Sequence, residues 1–540
     1  MKFRIYLLLY LYALMFLLAV AIFQTQPGYM DAEYYYANGL QLAQGKGLSE
    51  PFLWNYLDDP QELPHPAFTY WMPLSSLLAA AGMEITGWVN FAGSRAGFLI
   101  LAACVSPLTA RLAYAFTGER WAAWLAGFLV IFPGFYLAHL GTTDTFGIAM
   151  VLGVLWLWVA QHALNNDPGG RAFLLDALGL GLVAGLMHLT RADGIFWLGM
   201  GGVVVGMAIL SSRKMKPSLS IQKQASIGVL VLALLMAGYL LPMLPWLWRN
   251  LITFGTPFAP GGGRVLWLTD YDDIYLYPAN LLTPTRWWAM GLGEIVRARI
   301  WALGQNLQTT LAVQGMVFLL PLSLVGAWQL RKDQRVQLGG LAWLLLLALF
   351  CLIFPYPGAR GGFFHSGAAL QPLWWALTPV GLAVLVAWGE RKRGWNSSQA
   401  RVILGVGLVG LAAFYTILVT WPKVIGNQVA EPAWNQSAET YIQLESHLEA
   451  LGISDEAIGM VNNPPGYFTA TGRTAIVVPD GGVPDLLAAA QRYQASYLLV
   501  EENHPAGLGD LYSDPGDLPG LEYLGMFEST QIFRIDTVQK

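Results

Sequence analysis

The sequence predicts a mainly α-helical, polytopic membrane protein with a small α/β domain at its C-terminus. Of its 540 residues, 55% are hydrophobic and only 12% are charged, whereas soluble domains carry about a quarter charged residues. The mean hydropathy is +0.47, and apolar runs recur along most of the chain. Most of the chain is therefore predicted to lie in a lipid bilayer.

Apolar runs of roughly 20 residues predict the membrane spans, because that length crosses the hydrocarbon core. The first run follows Lys2 and Arg4, and we favour a retained span over a signal peptide because the rest of the chain is itself membranous. We expect about eleven spans, at 5–23, 95–116, 121–138, 145–162, 173–190, 194–210, 225–248, 310–330, 336–356, 371–389 and 401–421.

The short apolar segment 69–87 is ambiguous, and the positive-inside rule decides its interpretation. Three basic loops are predicted to be cytoplasmic, and the N-terminus with them: Arg213, Lys214, Lys216 and Lys223; Arg331, Lys332 and Arg335; Arg391, Lys392, Arg393 and Arg401. The parity of the spans then requires 69–87 to be a juxtamembrane or re-entrant helix on the outer side. The alternative makes 69–87 a span and 173–210 one broken hairpin.

This topology predicts a transmembrane domain over 1–421, with outer loops 24–94 and 249–309, and an extracytoplasmic domain over 422–540. The loops contain a helix at 31–44 and an amphipathic run at 286–308 that suits the membrane interface. In the tail, helical patterns alternate with strand patterns. The helices are predicted at 437–451 and 483–494, and the strands at 457–461, 474–478, 496–500, 521–526 and 530–536.

Composition also limits the partners. The formal net charge of −4 gives no reason to expect a nucleic acid. Cys104 and Cys351 both lie in apolar runs, which predicts core packing for them and neither a disulfide nor a metal site.

Acidic residues in the predicted outer segments are candidates for catalysis. Asp31, with Glu33 close by, follows the first span and can act as a general base, although Asp31 can equally cap the helix that it precedes. Asp144 lies between two spans and has the same two interpretations.

The candidate cations lie in the same predicted layer. Arg191 neighbours Asp193 in a charged turn, which indicates either a functional charge at the membrane boundary or a structural salt bridge. Arg249 ends a long span and can be a simple interface anchor. Arg360 and His365 lie in a glycine-containing segment, where backbone can approach a ligand closely, although a flexible loop also explains that segment.

Together these residues suit transfer from a lipid-linked phosphate donor. A base takes a proton from the acceptor hydroxyl, and cations stabilise the leaving phosphate, which Arg binds in a bidentate manner. The lipid tail stays in the bilayer, which explains a site at its boundary.

The chain resembles the GT-C superfamily of membrane glycosyltransferases, which includes protein O-mannosyltransferases and lipid A aminoarabinose transferases. The resemblance covers most of 1–380. It rests on Asp31-Ala32-Glu33-Tyr34, Pro66 with Tyr70-Trp71, Pro133 before Thr143-Asp144, Gly185-Leu186 with Leu189-Thr190-Arg191, and Trp246 with Arg249-Asn250, Phe254-Gly255 and Pro257.

The resemblance implies a polyprenyl-phosphate sugar donor, an inverting transfer, an essential acid at Asp31 and a second acid at Asp144. Ala32 separates two acids that are adjacent in many members. This D-x-E pattern is closer to the metal-using branch, which allows a divalent cation at Asp31, Glu33 and Asp144 but does not require one. His65 stands where other members place a lysine, so the phosphate ligands are expected among Arg191, Arg249, Arg360, His365 and His65.

The leading hypothesis is therefore a glycosyltransferase with Asp31 as base, acting on the outer face of the cell membrane. Its acceptor is a glycan, a lipid or a protein. A transporter or lipid flippase is the main alternative, but transporters usually place ionisable groups near the bilayer midplane, and the spans here are almost free of charge there. A third hypothesis is a membrane scaffold whose tail binds a partner.

Overall fold

The computed structural model describes residues 3–215 and 221–536, and helices dominate it. The predicted basic loop of Arg213, Lys214, Lys216 and Lys223 lies outside the residues whose side chains are described. The first eleven helices are α1 (Phe3–Ala21), α2 (Met30–Ala43), α3 (Leu74–Thr86), α4 (Phe91–Ser94), α5 (Ala96–Thr117), α6 (Arg120–Ile131), α7 (Leu137–Leu140), α8 (Phe146–Asn165), α9 (Arg171–Thr190), α10 (Phe196–Met215) and α11 (Ile221–Phe254).

Eight more helices complete the predicted transmembrane region. They are α12 (Pro284–Ala289), α13 (Gly291–Thr309), α14 (Leu320–Gln329), α15 (Gln334–Ala348), α16 (Pro355–Pro357), α17 (Phe363–Gly367), α18 (Gln371–Arg393) and α19 (Ser397–Val424). On α13, the exposed residues Leu292, Val296 and Ile300 recur every four positions and form an apolar stripe, as expected of a helix that meets lipid.

Within the described residues, nine helices are long and apolar enough to cross a membrane, or ten if the pair α6 and Gly134–Leu140, bent by 51°, counts as one span. Ten of the predicted spans correspond to these helices, and the predicted polytopic fold class is confirmed. The segment 69–87 contains the 13-residue α3, which is too short for a span.

The predicted span 310–330 is the exception, because its helix is interrupted. Met316 and Val317 have φ angles of 44° and 59°, which end α-helical geometry, and α14 has only 10 residues. Gln371 donates from its side chain to the carbonyl of Gln314 at 3.0 Å. A broken helix in an apolar layer needs such partners for its freed backbone groups.

Glycines set the closest approaches between the membrane helices. A Cβ atom on Gly181 of α9 would lie 1.9 Å from the carbonyl oxygen of Leu235 on α11, and one on Gly238 would lie 2.0 Å from that of Leu178. In lipid, the hydrophobic effect does not drive helices together, so their association depends on close packing. Small residues allow the backbones of two helices to come into direct contact. This contact fixes the turn between α9 and α10 relative to the end of α11.

The tail contains α20 (Gln436–Ala450), α21 (Pro464–Thr471), α22 (Val483–Tyr493) and α23 (Gly509–Ser513). The strands of the chain are β1 (Ser49–Glu50), β2 (Phe52–Leu53), β3 (His65–Pro66), β4 (Ile458–Val461), β5 (Ala475–Val477), β6 (Ala495–Val500), β7 (Leu521–Phe527) and β8 (Thr530–Ile535). The predicted tail strands and helices agree with these bounds within about two residues.

One six-stranded sheet, in the order β2-β5-β4-β6-β8-β7, joins the tail to the first loop. Its first four strands are parallel, and β8 and β7 run antiparallel at the other edge. Phe52 and Leu53 of the first loop pair with Ala475 and Ile476. The edge strand of the tail's sheet therefore comes from the segment that follows α2.

The glycine contact between α9 and α11 can be tested by substitution. We expect Gly181→Ala to lower the free energy of unfolding by about 1–3 kcal/mol, because the new methyl group overpacks the interface. The control Gly202→Ala, on α10, meets no atom within 4 Å of its Cβ and should leave stability unchanged or raise it. Thermal unfolding in detergent measures both, and equal midpoints would contradict the packing role.

Candidate functional site

A cavity of about 590 Å³, here called the central cavity, lies where α2, α9, α10 and α11 meet the segments around 257–274 and 349–365. Its apolar lining includes Phe196, Met243, Leu247 and Phe354. The polar wall contains Asp31, Arg191, Asp193, Arg360 and His365. The cavity therefore combines an apolar lining with charged groups, and four of the predicted site residues line it.

Asp31, Asp144 and His365 form a compact cluster at the polar wall. The Nε2 atom of His365 lies 3.1 Å from Oδ2 of Asp144 and 3.6 Å from Oδ1 of Asp31. Asp144 is fully buried, whereas the exposed fraction of the Asp31 side chain is 31%. Asp31 is therefore the member of the cluster that a ligand can reach.

Local structure explains how each acid reaches the cluster. Asp31 is the second residue of α2 and does not cap it, since Tyr29 occupies the cap position. Asp144 precedes the start of α8, and its Oδ1 atom accepts hydrogen bonds from the backbone N–H and the hydroxyl of Thr145. Thr143 donates to the carbonyl of Ala32 at 2.6 Å, which holds the Asp144 turn against α2.

The partners of His365 restrict its protonation. Its Nδ1 atom lies 2.9 Å from the carbonyl oxygen of Gly361, and because a carbonyl only accepts, Nδ1 carries a hydrogen. With a proton on its Nε2 atom as well, the ring is an imidazolium between two carboxylates; without that proton, Nε2 offers a lone pair that can bind a metal ion. A protonated ring or a bound metal ion puts positive charge between Asp31 and Asp144.

The two carboxylates differ in acidity. Burial alone would raise the pKa of Asp144, but the neighbouring charge of His365, with hydrogen bonds from His365, Tyr29 and the Thr145 N–H, lowers it well below the usual range. Burial raises the pKa of Asp31, and His365 offsets only part of that effect. Paired carboxyls with divergent pKa values are typical of sites that transfer protons.

The cluster also has a composition that suits a divalent cation. One ligand atom from each of Asp31, Asp144 and His365 lies within 4.8 Å of the others. Two carboxylates and an imidazole whose other nitrogen is held by a carbonyl suit Zn²⁺ or Mn²⁺ better than the all-oxygen sites of Mg²⁺ and Ca²⁺. The residues present therefore fit such an ion.

Arg191 is held at one side of its guanidinium group and free at the other. Its Nε atom donates to Oδ1 of Asp193 at 3.0 Å, and Ser366 donates its hydroxyl hydrogen to the other oxygen of Asp193. Over the described part of the chain, the terminal amino groups of Arg191 have no hydrogen-bond partner. The salt bridge thus orients Arg191 and leaves its planar fork for an anion in the cavity.

The other two predicted arginines differ in access. Arg360 is exposed at the cavity, with its guanidinium 5.0 Å from the centre of the Tyr271 ring. Arg249 lies between the rings of Trp246 and Phe254 and donates to the side-chain oxygen of Asn250 at 3.0 Å. Arg249 does not line the central cavity, although Asn250 does.

Glu33 and His65 are not brought to the cluster. Successive helical residues turn by about 100°, so Glu33 projects away from Asp31 and accepts a hydrogen bond from Asn463 at 2.7 Å. Burial raises the pKa of Glu33 to about 7. His65 is 3% exposed, and its Nε2 atom lies 3.1 Å from the carbonyl of Phe52 and 3.4 Å from Glu50.

Two residues near the cluster had no role in the sequence-based prediction. Tyr29 donates its hydroxyl hydrogen to Asp144 at 2.7 Å. Lys423 lies 3.1 Å from Nε2 of His139 and 5.7 Å from the centre of the Tyr29 ring. A tyrosine just before a helix and a lysine ending the last apolar run were the available signals, and neither indicates a site without the three-dimensional arrangement.

Searches with known proteins found similarity in structure only; no family model and no curated protein matches the chain. The oligosaccharyltransferase AglB of Archaeoglobus fulgidus, in complex with an inhibitory peptide and a dolichol-phosphate, has a TM-score of 0.51 at 14% identity, covering 92% of this chain and 69% of AglB. The oligosaccharyltransferase of the same organism in complex with Zn and sulfate has a TM-score of 0.50 at 14% identity, covering 91% and 68%.

A third similar structure is ArnT of Cupriavidus metallidurans bound to undecaprenyl phosphate, with a TM-score of 0.49 at 11% identity, covering 98% of this chain and 97% of ArnT. The similarity to the Archaeoglobus fulgidus enzyme extends over nearly the whole chain. The chain therefore shares the fold of this oligosaccharyltransferase, and the resemblance found in the sequence is confirmed at the level of the fold.

The affinity for Zn²⁺ distinguishes two candidate metal sites: the cluster of Asp31, Asp144 and His365, and the site predicted from the D-x-E pattern, which includes Glu33. We expect Asp144→Asn to weaken binding of Zn²⁺ to the purified protein by about tenfold or more, because the variant loses a charged ligand. Glu33→Gln should bind Zn²⁺ like the original protein, because Glu33 faces away. Competition with a chromogenic chelator measures both affinities, and a larger loss in Glu33→Gln would refute this arrangement.

Proposed function

We propose that this chain, which has the fold of membrane glycosyltransferases, transfers a sugar from a polyprenyl-phosphate donor to an acceptor hydroxyl with inversion at the anomeric carbon. One observation carries the proposal: the reachable carboxylate of Asp31 and the free fork of Arg191 line the same cavity. A base and an anion-binding group beside an apolar lining are what this reaction requires.

In the proposed reaction, Asp31 accepts the proton of the acceptor hydroxyl as its oxygen bonds to the anomeric carbon of the sugar. The bond between that carbon and the phosphate oxygen breaks, and its electron pair leaves with the polyprenyl phosphate. A single displacement of this kind inverts the configuration. Arg191 and Arg360 stabilise the charge that develops on the leaving phosphate.

His365 and Asp144 set the environment of the base. Positive charge at Nε2 of His365 offsets the electrostatic repulsion between the two neighbouring carboxylates. Where Asp31, Asp144 and His365 hold a divalent cation, the ion supplies positive charge and Lewis acidity at this position. Arg249 supports the wall of the cavity through Asn250 and its two aromatic neighbours.

The apolar wall supports a lipid-linked donor. Phe196, Met243, Leu247 and Phe354 line the same cavity as the charged groups, so an isoprenoid chain can stay in apolar surroundings while its phosphate meets Arg191. The structure of the Archaeoglobus fulgidus oligosaccharyltransferase contains a dolichol-phosphate, a lipid phosphate of this chemical class.

The ends of the helices support a site on the non-cytoplasmic face. α15 runs from the Arg331–Arg335 region towards the cavity, and α18 runs from the cavity side to Arg391, Lys392 and Arg393. Basic residues accumulate on the cytoplasmic side, and the cavity lies at the opposite ends of these helices. The acceptor in this proposal is a hydroxyl of a glycan, a lipid or a protein on the outer face.

The role of the base predicts a large loss in one variant. We expect Asp31→Asn to lower the release of polyprenyl phosphate from a labelled polyprenyl-phosphate sugar by about 10²–10⁴-fold, because the amide cannot accept the proton. The control Glu62→Gln changes an exposed carboxylate of the same loop and should retain full turnover. Normal turnover by Asp31→Asn would exclude it as the base.

The role of the guanidinium fork predicts a graded series. Arg191→Ala should lower turnover by about 10²–10³-fold, and Arg191→Lys should recover only part of that loss, because an ammonium group keeps the charge but not the bidentate geometry. Arg297→Ala removes an exposed arginine that pairs with Glu294 and serves as the control. Steady-state kinetics on the lipid-linked donor measure the series, and full activity in Arg191→Lys would argue against bidentate binding.

A further inference from the structure

The tail contacts α2 directly, on the side of the helix opposite the central cavity. Glu33 is 2% exposed, and its Oε2 atom accepts a hydrogen bond from the side-chain nitrogen of Asn463 at 2.7 Å. Asn463 belongs to the tail, at the start of α21. A buried carboxylate in the first turn of the helix that carries Asp31 thus depends on a residue 430 positions later in the chain.

Asn463 uses both ends of its amide group. Its oxygen accepts a hydrogen bond from the backbone N–H of Gly466 at 3.2 Å and caps α21, while its nitrogen contacts Glu33. A Cβ atom on Gly466 would lie 2.4 Å from that nitrogen and 2.7 Å from Oε2 of Glu33. The first turn of α21 therefore approaches Glu33 so closely that a Cβ atom at Gly466 would displace the side chains of Asn463 and Glu33.

A second contact from the tail fixes the segment before α2. The side-chain oxygen of Asn435 accepts hydrogen bonds from the backbone N–H groups of Thr25 and Gln26 at 3.1 and 3.2 Å. Trp434 donates from its indole N–H to the carbonyl of Gln26 at 2.9 Å. The tail thus holds the chain on both sides of Asp31.

We propose that Asn463 is a positioning residue: by holding Glu33 it fixes the rotation of α2, and so places Asp31 against Asp144, His365 and the donor. This inference rests on the proposed function, because that function makes Asp31 the catalytic base. Asp31 and Glu33 share one rigid helical turn and point in opposite directions, so a displacement at Glu33 moves Asp31 as well. Glu33 is then an anchor for the base and takes no part in the chemistry.

A purely structural contact would instead stabilise the tail without affecting the geometry of Asp31. Substitutions at Asn463 separate the two roles because the cap and the contact with Glu33 use different atoms. Asn463→Asp keeps an oxygen for the cap but places a second carboxylate against Glu33. Asn463→Ser also keeps the cap, but its side chain is too short for the contact.

The experiment measures transfer from a labelled polyprenyl-phosphate sugar at pH 8 in the full chain. We expect Asn463→Asp and Asn463→Ser to lower kcat by about 10–100-fold, with the KM for the donor changed by less than about threefold. The double variant Glu33→Gln with Asn463→Asp restores an amide–carboxylate pair with its direction reversed, so it should return kcat to within about threefold of the original value. Asn396→Asp, at the exposed cap of α19, is the matched control.

Rescue of Asn463→Asp, but not of Asn463→Ser, by Glu33→Gln supports the proposal. Unchanged kcat in both single variants, or a loss that Glu33→Gln does not repair, overturns it. Hydrogen exchange of the α2 amides gives a readout independent of the reaction: exchange should be faster in Asn463→Asp and normal in the double variant. If the original protein transfers no sugar, the proposed function fails, and unchanged exchange in Asn463→Asp overturns the positioning role separately.

Discussion

The position of His365 between the carboxylates of Asp31 and Asp144 is the constraint on which the rest of the cavity depends. Two carboxylates that leave water cost several kcal/mol unless positive charge accompanies them. His365 supplies that charge from a segment 221 residues beyond Asp144. The start of α2, the turn before α8 and the segment before α18 therefore cannot separate without leaving a buried charge uncompensated.

The charged residues of the cavity lie at the ends of the apolar helices, which lowers the free-energy cost of placing charge near lipid. Arg191 sits in the turn between α9 and α10, and the glycine contacts of α9 with α11 fix that turn in space. Asp193 and Ser366 then take up one side of the arginine and leave the other side for a ligand. The packing of the helices thus fixes the position of the cavity's arginine through a short chain of polar contacts.

The sequence predicted the parts of the fold that repeat a simple pattern. Apolar length located ten spans, and the alternation in the tail located its helices and strands, because both patterns report burial directly. The helix predicted at 310–330 is interrupted by the backbone conformation at Met316 and Val317, and a hydropathy pattern contains no information about that conformation. Asp31, Arg191, Arg360 and His365 were predicted from charge at span ends, and the structure brings them to one cavity. The rotation of α2 turns Glu33 away from the cluster, and the pairing of β1 with β3 buries His65 beside Glu50. Neither the rotation nor the pairing can be predicted from the residues around Glu33 and His65 alone.

The pairing of β2 with β5 has a consequence for the order of assembly. Tyr56, just after β2, donates its hydroxyl hydrogen to the carbonyl of Val477, 421 residues away, and a ribosome makes the N-terminal residues first. β2 of the first loop gains its partner strand β5 only when the tail has been made and folds. A chain that stops before the tail lacks Asn463, which contacts Glu33 of α2. Synthesis of the last fifth of the polypeptide is thus the step that completes the contacts around α2.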